Sequence, residues 1–496
     1  MLRRLLSLIG LCFCLVSAAC QSALTSNVEQ ALANPEHTGI RWGIVVADMD
    51  GTELFSLQPD ARFTPASNTK IITTMATYHH LSDLEEPALN PGTRVFIEFG
   101  DEGALPNLIL EGGGDAMLSD TADCETTCLS HLADQVAATG ATAFGSVIGD
   151  DTLFPFERWG PGWSVEDLQF YYGTAVSALS VNDNLVWVDI KPGDSEGTPA
   201  IIEWQDGDAY LKLDNQITTS ATGLDRELGI ERHPGAQTVR LYGTVPAAMG
   251  TLSYGLAIEN PAEYAALRFK RLLESRGIAV QSTATRHRPL ELSDLPSEPD
   301  GETATLVSSA HADVSSPIAQ LPPSPLALSL RRISKDSENL HADIALRRLG
   351  LFEGTGSRAY GVATVEQFLD EAGLPEHGYA LHGGSGMSIY NRVSPRSLVQ
   401  LLGFAAQQPW FEAWLADQPI GGVDGSLERR FKGTPLEGKI FAKTGTLNGA
   451  NALSGVMIAQ SGRELLFSII ANDRPASTGS ARPEMDAALN VIAEAY

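Results

Sequence analysis

Pro65-Ala66-Ser67-Asn68-Thr69-Lys70-Ile71-Ile72-Thr73-Thr74-Met75 opens an apolar, helix-spaced run that is expected to continue as a helix from about Asn68 to Leu81. Ser67 and Lys70 are three residues apart and so share one helix face. Ser67 falls at the helix start, where unpaired backbone N–H groups favour developing negative charge. A serine hydroxyl is a poor nucleophile until a base removes its proton. A neutral lysine does this where burial and a nearby cation lower its pKa. The chain has eight lysines, and Lys70 alone has a serine three residues before it.

The flanking sequence supplies a scaffold for this helix. Ile40 to Leu57 alternates as a strand, turns at Asp50-Gly51 and returns as a second strand. The C-terminal end matches it: Lys439 to Thr446 reads as a strand, Asn448-Gly449 as a turn and Ser454 to Ala459 as a strand. Gln460-Ser461-Gly462 is then a turn, Leu465 to Ala471 a third strand, and Pro483 to Tyr496 an amphipathic helix. The economical arrangement is one antiparallel five-stranded sheet built from both chain ends and covered by helices. Roughly Asn90 to Asp300 differs in texture, with short strand-like runs rich in Gly and Asp, and it ends in a polar, Pro-containing linker from Pro289 to Thr303. This predicts a multidomain α+β protein, with residues 21–90 and 304–496 forming a split domain and residues 91–303 a β-rich insertion.

Two further motifs lie in the split domain. Lys443-Thr444-Gly445 falls in the first C-terminal strand, at a sheet edge in this arrangement. Its lysine and threonine suit a substrate carboxylate, and Gly445 leaves room for a substrate backbone. The backbone N–H groups of Thr446 and Ser67 are candidate oxyanion-hole donors. Two Ser-x-Asn sites compete for a proton-relay role. Ser180-Val181-Asn182 lies in the insertion and suits turn and capping chemistry. Ser337-Glu338-Asn339 lies in the split domain beside a helix-like run and is the favoured site. Ser337 would pass a proton to a leaving amine, and Asn339 would hydrogen-bond a substrate amide and Lys70. This set of SxxK, SxN and KTG is associated with acyl transfer to serine.

Composition narrows the classes. The 496 residues carry a net charge of −27, which argues against a nucleic-acid partner. Met1 to Cys20 reads as a secretory signal, with basic Arg3 and Arg4, an apolar Leu5 to Val16 and small Ser17-Ala18-Ala19. Cys20 follows directly and is either lipidated as a first mature residue, anchoring the chain to a membrane, or left free by ordinary cleavage. Cys124 and Cys128 are expected to form a local disulfide in an oxidising compartment. A metal site using them with His131 lacks a fourth ligand. The assembled chemistry calls for no cofactor or metal. His79-His80 suits packing and surface, and no serine stands in a Gly-x-Ser-x-Gly elbow.

With these motifs placed, the chain resembles the D-alanyl-D-alanine carboxypeptidase/endopeptidase family of low-molecular-mass, class C penicillin-binding proteins (peptidase family S13). The resemblance extends to Glu-Gly-Gly-Gly-Asp at 111–115, Ser-Ala-Leu-Ser-Val-Asn at 177–182 and Ser-Pro-Leu at 324–326. It continues through Gly-Ser-Gly-Met-Ser at 384–388, Asn-Arg-Val-Ser-Pro at 391–395, Gly-Val-Asp-Gly-Ser-Leu at 422–427 and Ala-Lys-Thr-Gly-Thr-Leu at 442–447. It implies a β-lactamase/transpeptidase-like domain with a large insertion between the first two motifs, and an SxN motif at Ser337 to Asn339. It further implies a periplasmic serine peptidase, acylated on Ser67, that cleaves D-Ala-D-Ala ends or cross-links of peptidoglycan stem peptides and is acylated by β-lactams. In that reading Lys70 takes the Ser67 proton, Ser337 and Lys443 protonate the leaving amine, and Lys443 with Thr444 holds the terminal carboxylate. Asp151, in Asp-Asp-Thr-Leu-Phe, resembles a family acid that approaches the substrate side chain. The chain departs from the family at Gly384, where relatives usually carry Asp ahead of the Ser-Gly, and at Ile389, where they commonly carry Arg. Arg392 is close by in sequence. A serine β-lactamase and a β-lactam sensor without turnover are the alternatives, distinguished by rapid β-lactam hydrolysis and by unchanged muropeptides respectively.

Overall fold

The computed structural model describes residues 22–205, 210–296, 316–475 and 478–496. The expected export signal and Cys20 lie outside these residues. Both chain ends build one five-stranded sheet, in the order Ile440–Leu447, Ala450–Ile458, Glu464–Asn472, Arg41–Asp48, Glu53–Leu57. Every neighbouring pair is antiparallel. The two central strands, Ala450–Ile458 and Glu464–Asn472, are buried almost throughout, which is why they read as continuous apolar runs rather than as alternation.

Each face of the sheet carries its own core. On one face Ile44, Val46, Leu453 and Phe467 pack with Met485, Leu489 and Ile492 of the C-terminal helix Arg482–Ala495. A helix over 22–32, missed in the sequence reading, adds Leu24, Val28 and Leu32 to this layer. On the other face Val45 and Ala47 meet Ile71, Ile72 and Met75 of the helix Thr69–His79, together with Ile333, Leu346, Leu398 and Trp414. Trp414 Nε1 donates to Thr74 Oγ1 at 2.9 Å, tying the helix to that core. The expected helix to Leu81 ends at His79, and a separate short turn spans Leu81–Leu84.

The intervening chain forms three further sheets with their own hydrophobic core. The largest runs Ala279–Arg288, Ala143–Pro155, Asn107–Glu111, Thr93–Glu98, Ala319–Leu321. Its last strand comes from beyond residue 303. Two helices, Leu129–Ala138 and Pro261–Glu274, pack in the same core, so this region is less purely β than its composition suggests. Cys124 and Cys128 are joined by a disulfide, which uses both sulfurs that a metal site with His131 would need.

Candidate active site

The helix Thr69–His79 is preceded by a tight turn, Ala66–Asn68, that carries Ser67. Asn68 Nδ2 donates to Ser454 Oγ at 2.7 Å and pins the turn to the sheet. Ala66 sits at φ 49°, a left-handed conformation that side chains rarely adopt. Gly386 explains how the turn is tolerated. A Cβ on Gly386 would lie 2.0 Å from Ala66 O, so the loop over residues 384–388 can cross the turn only with glycine there.

Lys70 is completely buried. Its Nζ donates to Ser67 Oγ at 3.0 Å, to Asn339 Oδ1 at 2.6 Å and to the Ser385 carbonyl at 2.5 Å. An ammonium has three donors, and all three are used. Burial nevertheless lowers its pKa from 10.5 to about 7, against the opposing pull of Asp343 and Glu338. Lys443 is also buried, and its pKa is held well below 10.5 by burial first and by the Lys70 charge second. Its Nζ donates to Ser337 Oγ at 2.9 Å. Ser337 occupies a left-handed turn, φ 66°, between the helices Leu326–Lys335 and Asn339–Glu353. Asn339 Nδ2 donates to the Tyr172 carbonyl at 2.8 Å, so the inserted region helps to orient it.

Two relays result, Ser67–Lys70–Asn339 and Ser337–Lys443, each with a hydroxyl at the mouth and an amine behind it. Ser67, Ser337, Asn339, Thr444 and Thr446 all border one cleft of about 440 Å³. Of the two SxN sites, only Ser337–Asn339 bonds to both lysines. Asn182 instead accepts from Ser119 Oγ and Asp120 N, in a run of three left-handed residues, Asn182 to Asn184.

Some expectations are corrected. Gly445, between Thr444 and Thr446, faces the nucleophile turn. Its missing Cβ would meet Pro65 O at 2.6 Å and Asn68 N at 3.2 Å, so glycine is needed there to seat the strand against the nucleophile turn. Asp151 is buried, accepts from Ser177 Oγ at 2.9 Å and contacts His287 Nδ1 at 2.7 Å, and it does not line the cleft. Gly384 is a packing position, since a Cβ would lie 2.8 Å from Ala342 O. At the neighbouring Gly383 a Cβ would face Asp343 Oδ1 at 3.5 Å. Ile389 is half exposed, and Arg392 spends a nitrogen on the Ile389 and Asn391 carbonyls rather than entering the cleft.

Sequence reasoning missed several contributors. Ser385 acts through its carbonyl, which a side-chain motif does not display. Asp167, Tyr171 and Tyr172 of the inserted region line the cleft without forming a motif, as do Arg474 and Arg482 near the C-terminus.

The profile of the D-Ala-D-Ala carboxypeptidase 3 (S13) family matches residues 24–294 and 301–496. A D-alanyl-D-alanine carboxypeptidase from Actinomadura sp. (strain R39) is 32% identical over 473 residues, covering 92% of this chain and 82% of that protein. A penicillin-sensitive carboxypeptidase A from Dictyostelium discoideum is 26% identical, covering 88% and 84%. Penicillin binding protein 4 from Haemophilus influenzae shares the fold, with a TM-score of 0.74 at 20% identity over 94% of this chain and 98% of its own.

Proposed function

The chain belongs to the D-Ala-D-Ala carboxypeptidase 3 (S13) family and is a serine-type carboxypeptidase, and on that premise we propose that it cleaves peptidoglycan stem peptides through an acyl-enzyme on Ser67. Ser67 Oγ attacks the carbonyl of the penultimate D-alanine while Lys70 takes its proton. The backbone N–H groups of Ser67 and Thr446 hold the oxyanion. The terminal D-alanine leaves as its amine takes a proton from Ser337, which Lys443 resupplies. Lys443 and Thr444 hold the terminal carboxylate, and water then releases the acyl group. A D-amino-acid cross-link presents the same bond, so endopeptidase action belongs to this reading.

One observation carries it. Lys70 bonds directly to Ser67 and has its pKa lowered to about 7, so a large share of it is free amine at neutral pH. β-Lactams present a strained amide to the same serine and should acylate it. The relatives named for D-alanyl-D-alanine cleavage and for penicillin sensitivity support this substrate class. Export by residues 1–20, with Cys20 as a lipid site, is part of the proposal. Among the described residues no helix is long and apolar enough to cross a membrane.

The test is product analysis by mass spectrometry after incubation with defined monomeric and cross-linked muropeptides, beside fluorescent-penicillin labelling. The expected result is released D-alanine, cleaved cross-links and labelling that Ser67→Ala abolishes. Equal labelling of both proteins would refute the nucleophile. Loss of D-alanine with intact cross-links would remove the endopeptidase part.

A further inference from the structure

A second cleft, of about 720 Å³, belongs to neither relay. Trp187 lines it from the strand Leu185–Lys191, with 39% of the residue exposed. This is the middle strand of a three-stranded sheet, between Leu252–Ala257 and Ile201–Trp204. Gly255 stands opposite Trp187 in register. A Cβ on Gly255 would lie 3.2 Å from the indole Cη2 and 3.1 Å from Tyr171 Cβ, so both aromatics settle against bare backbone. Tyr171 is 55% exposed and borders the catalytic cleft. The two clefts therefore meet across a rim made of Tyr171, Gly255 and Trp187.

Much of the remaining lining is polar. Gln205 borders the second cleft, and its Nε2 donates to Asp189 Oδ1 at 2.9 Å and to Ser253 Oγ at 3.1 Å. Asp189 follows Trp187 by two residues and so stands on the same face of the strand. The loop closed by the Cys124–Cys128 disulfide adds Asp123 and Glu125, both exposed. Asp183 and Arg332, the ion pair beside the Ser337 turn, complete the lining. An exposed aromatic plane thus stands with a fixed amide and several carboxylates. An apolar partner would dehydrate those carboxylates without pairing them. A phosphate or carboxylate ligand would be repelled by them. A neutral, polyhydroxylated ring satisfies both demands, because its C–H face stacks on the indole while its hydroxyls donate to the acids.

We propose that this second cleft is a saccharide site, with Trp187 as its stacking residue, that holds the amino-sugar strand to which the stem peptides are attached. The proposal rests on the peptidase reading above and adds a second point of contact with the same polymer. The shared rim at Tyr171 lets one substrate place its peptide in the catalytic cleft and its sugar on Trp187, and two linked contacts reinforce each other. A cationic peptide would be drawn by the same acids and indole. Salt separates the two, since a neutral sugar makes no screened ion pairs.

The experiment compares the full chain with Trp187→Ala and Trp187→Phe, with circular dichroism as a check of folding. Binding is measured by titration calorimetry with the neutral tetramer of N-acetylglucosamine. D-Alanine release is measured on a free stem pentapeptide and on the same pentapeptide carried by a tetrasaccharide. The tetramer is expected to bind with a Kd that changes less than about twofold between about 0.1 and about 0.5 M NaCl. Trp187→Ala should weaken that binding about tenfold or more, and Trp187→Phe should recover part of it. On the sugar-borne pentapeptide Trp187→Ala should lower kcat/KM about tenfold, chiefly through KM, and on the free pentapeptide by less than about twofold. No binding of the tetramer, binding that Trp187→Ala leaves unchanged, binding that falls steeply with salt, or equal losses on the two substrates would overturn the inference. If Trp187→Ala does not fold, hydrogen exchange of the unmodified chain decides: bound tetramer should protect residues 119–126 and 185–191, and lack of protection in either segment overturns it. Failure of the underlying peptidase reading looks different, because the unmodified chain would then release no D-alanine from either pentapeptide, whatever the tetramer does.

Discussion

Lowering the pH should silence acylation through Lys70 before it unfolds the protein. The base is the free amine, and its pKa lies at about 7 because the ammonium is fully buried. Below that point the free-amine fraction falls about tenfold per pH unit, so the acylation rate at pH 5 should be about a hundredfold below its plateau. The measurement is the second-order rate constant for acylation by a fluorescent penicillin between pH 5 and 10, with circular dichroism to confirm folding. A lysine with its ordinary pKa of 10.5 would keep the rate climbing to the top of this range. The sign of the shift can be checked independently. Asp343 is the leading group that stabilises the Lys70 ammonium, so Asp343→Asn should lower the Lys70 pKa further and move the acid limb to lower pH. The Asn side-chain oxygen can still accept from Gly384 N, which bonds to Asp343 Oδ1 at 2.9 Å. A limb that moves up in pH, or an acylation rate that rises without levelling above pH 9, would sink the assignment of Lys70 as base.

Two other outcomes test the surrounding structure. Gly445→Ala puts a methyl 2.6 Å from Pro65 O and 3.1 Å from Ala452 Cβ, so penicillin labelling should fall by about tenfold or more while the protein stays folded by circular dichroism; unchanged labelling would show that the strand and the nucleophile turn can separate at no cost. Asp183→Asn removes the charge that takes two nitrogens of Arg332 at 3.0 and 2.9 Å and contacts His341 Nε2 at 2.9 Å, beside the Ser337 turn, and should cut the rate of D-alanine release while leaving KM nearly unchanged; a pure KM effect would count against a role in holding that turn.

The sheet was legible because its strands announce themselves locally. Gly51 and Gly449 fall at tight turns with φ of 85° and 77°, and the flanking runs are apolar enough to fill both faces. The helix over 22–32 was hidden because it follows the apolar run Leu5 to Val16 closely in sequence, and three core residues give too weak a period to separate from it. The three motifs were legible because the chemistry rests on side chains of distinctive type. What escaped notice was supplied by backbone or by packing. Ser385 and Tyr172 contribute carbonyl oxygens, which any residue could provide. Gly445 and Gly384 are also constrained by the close approach of neighbouring backbone, which a sequence does not display.

The rejected SxN site shows why sequence motifs and structural supports become entangled. Ser180, Asn182 and Asn184 do form hydrogen bonds, but with each other and with neighbouring loops. The strained turn they build, left-handed at Asn182, Asp183 and Asn184, is what aims Asp183 at Arg332 and His341. His341 is wholly buried two residues after Asn339 on the same helix, and Arg332 closes the helix before Ser337. The inserted region therefore grips both sides of the Ser337 turn through Asp183, and grips Asn339 through the Tyr172 carbonyl. A left-handed serine between two helices is a conformation that neighbours must enforce. Part of that enforcement comes from a segment about 150 residues earlier in the chain. The insertion thus supports the second relay through Arg332 and His341 and the first through Asn339, as well as lining the cleft.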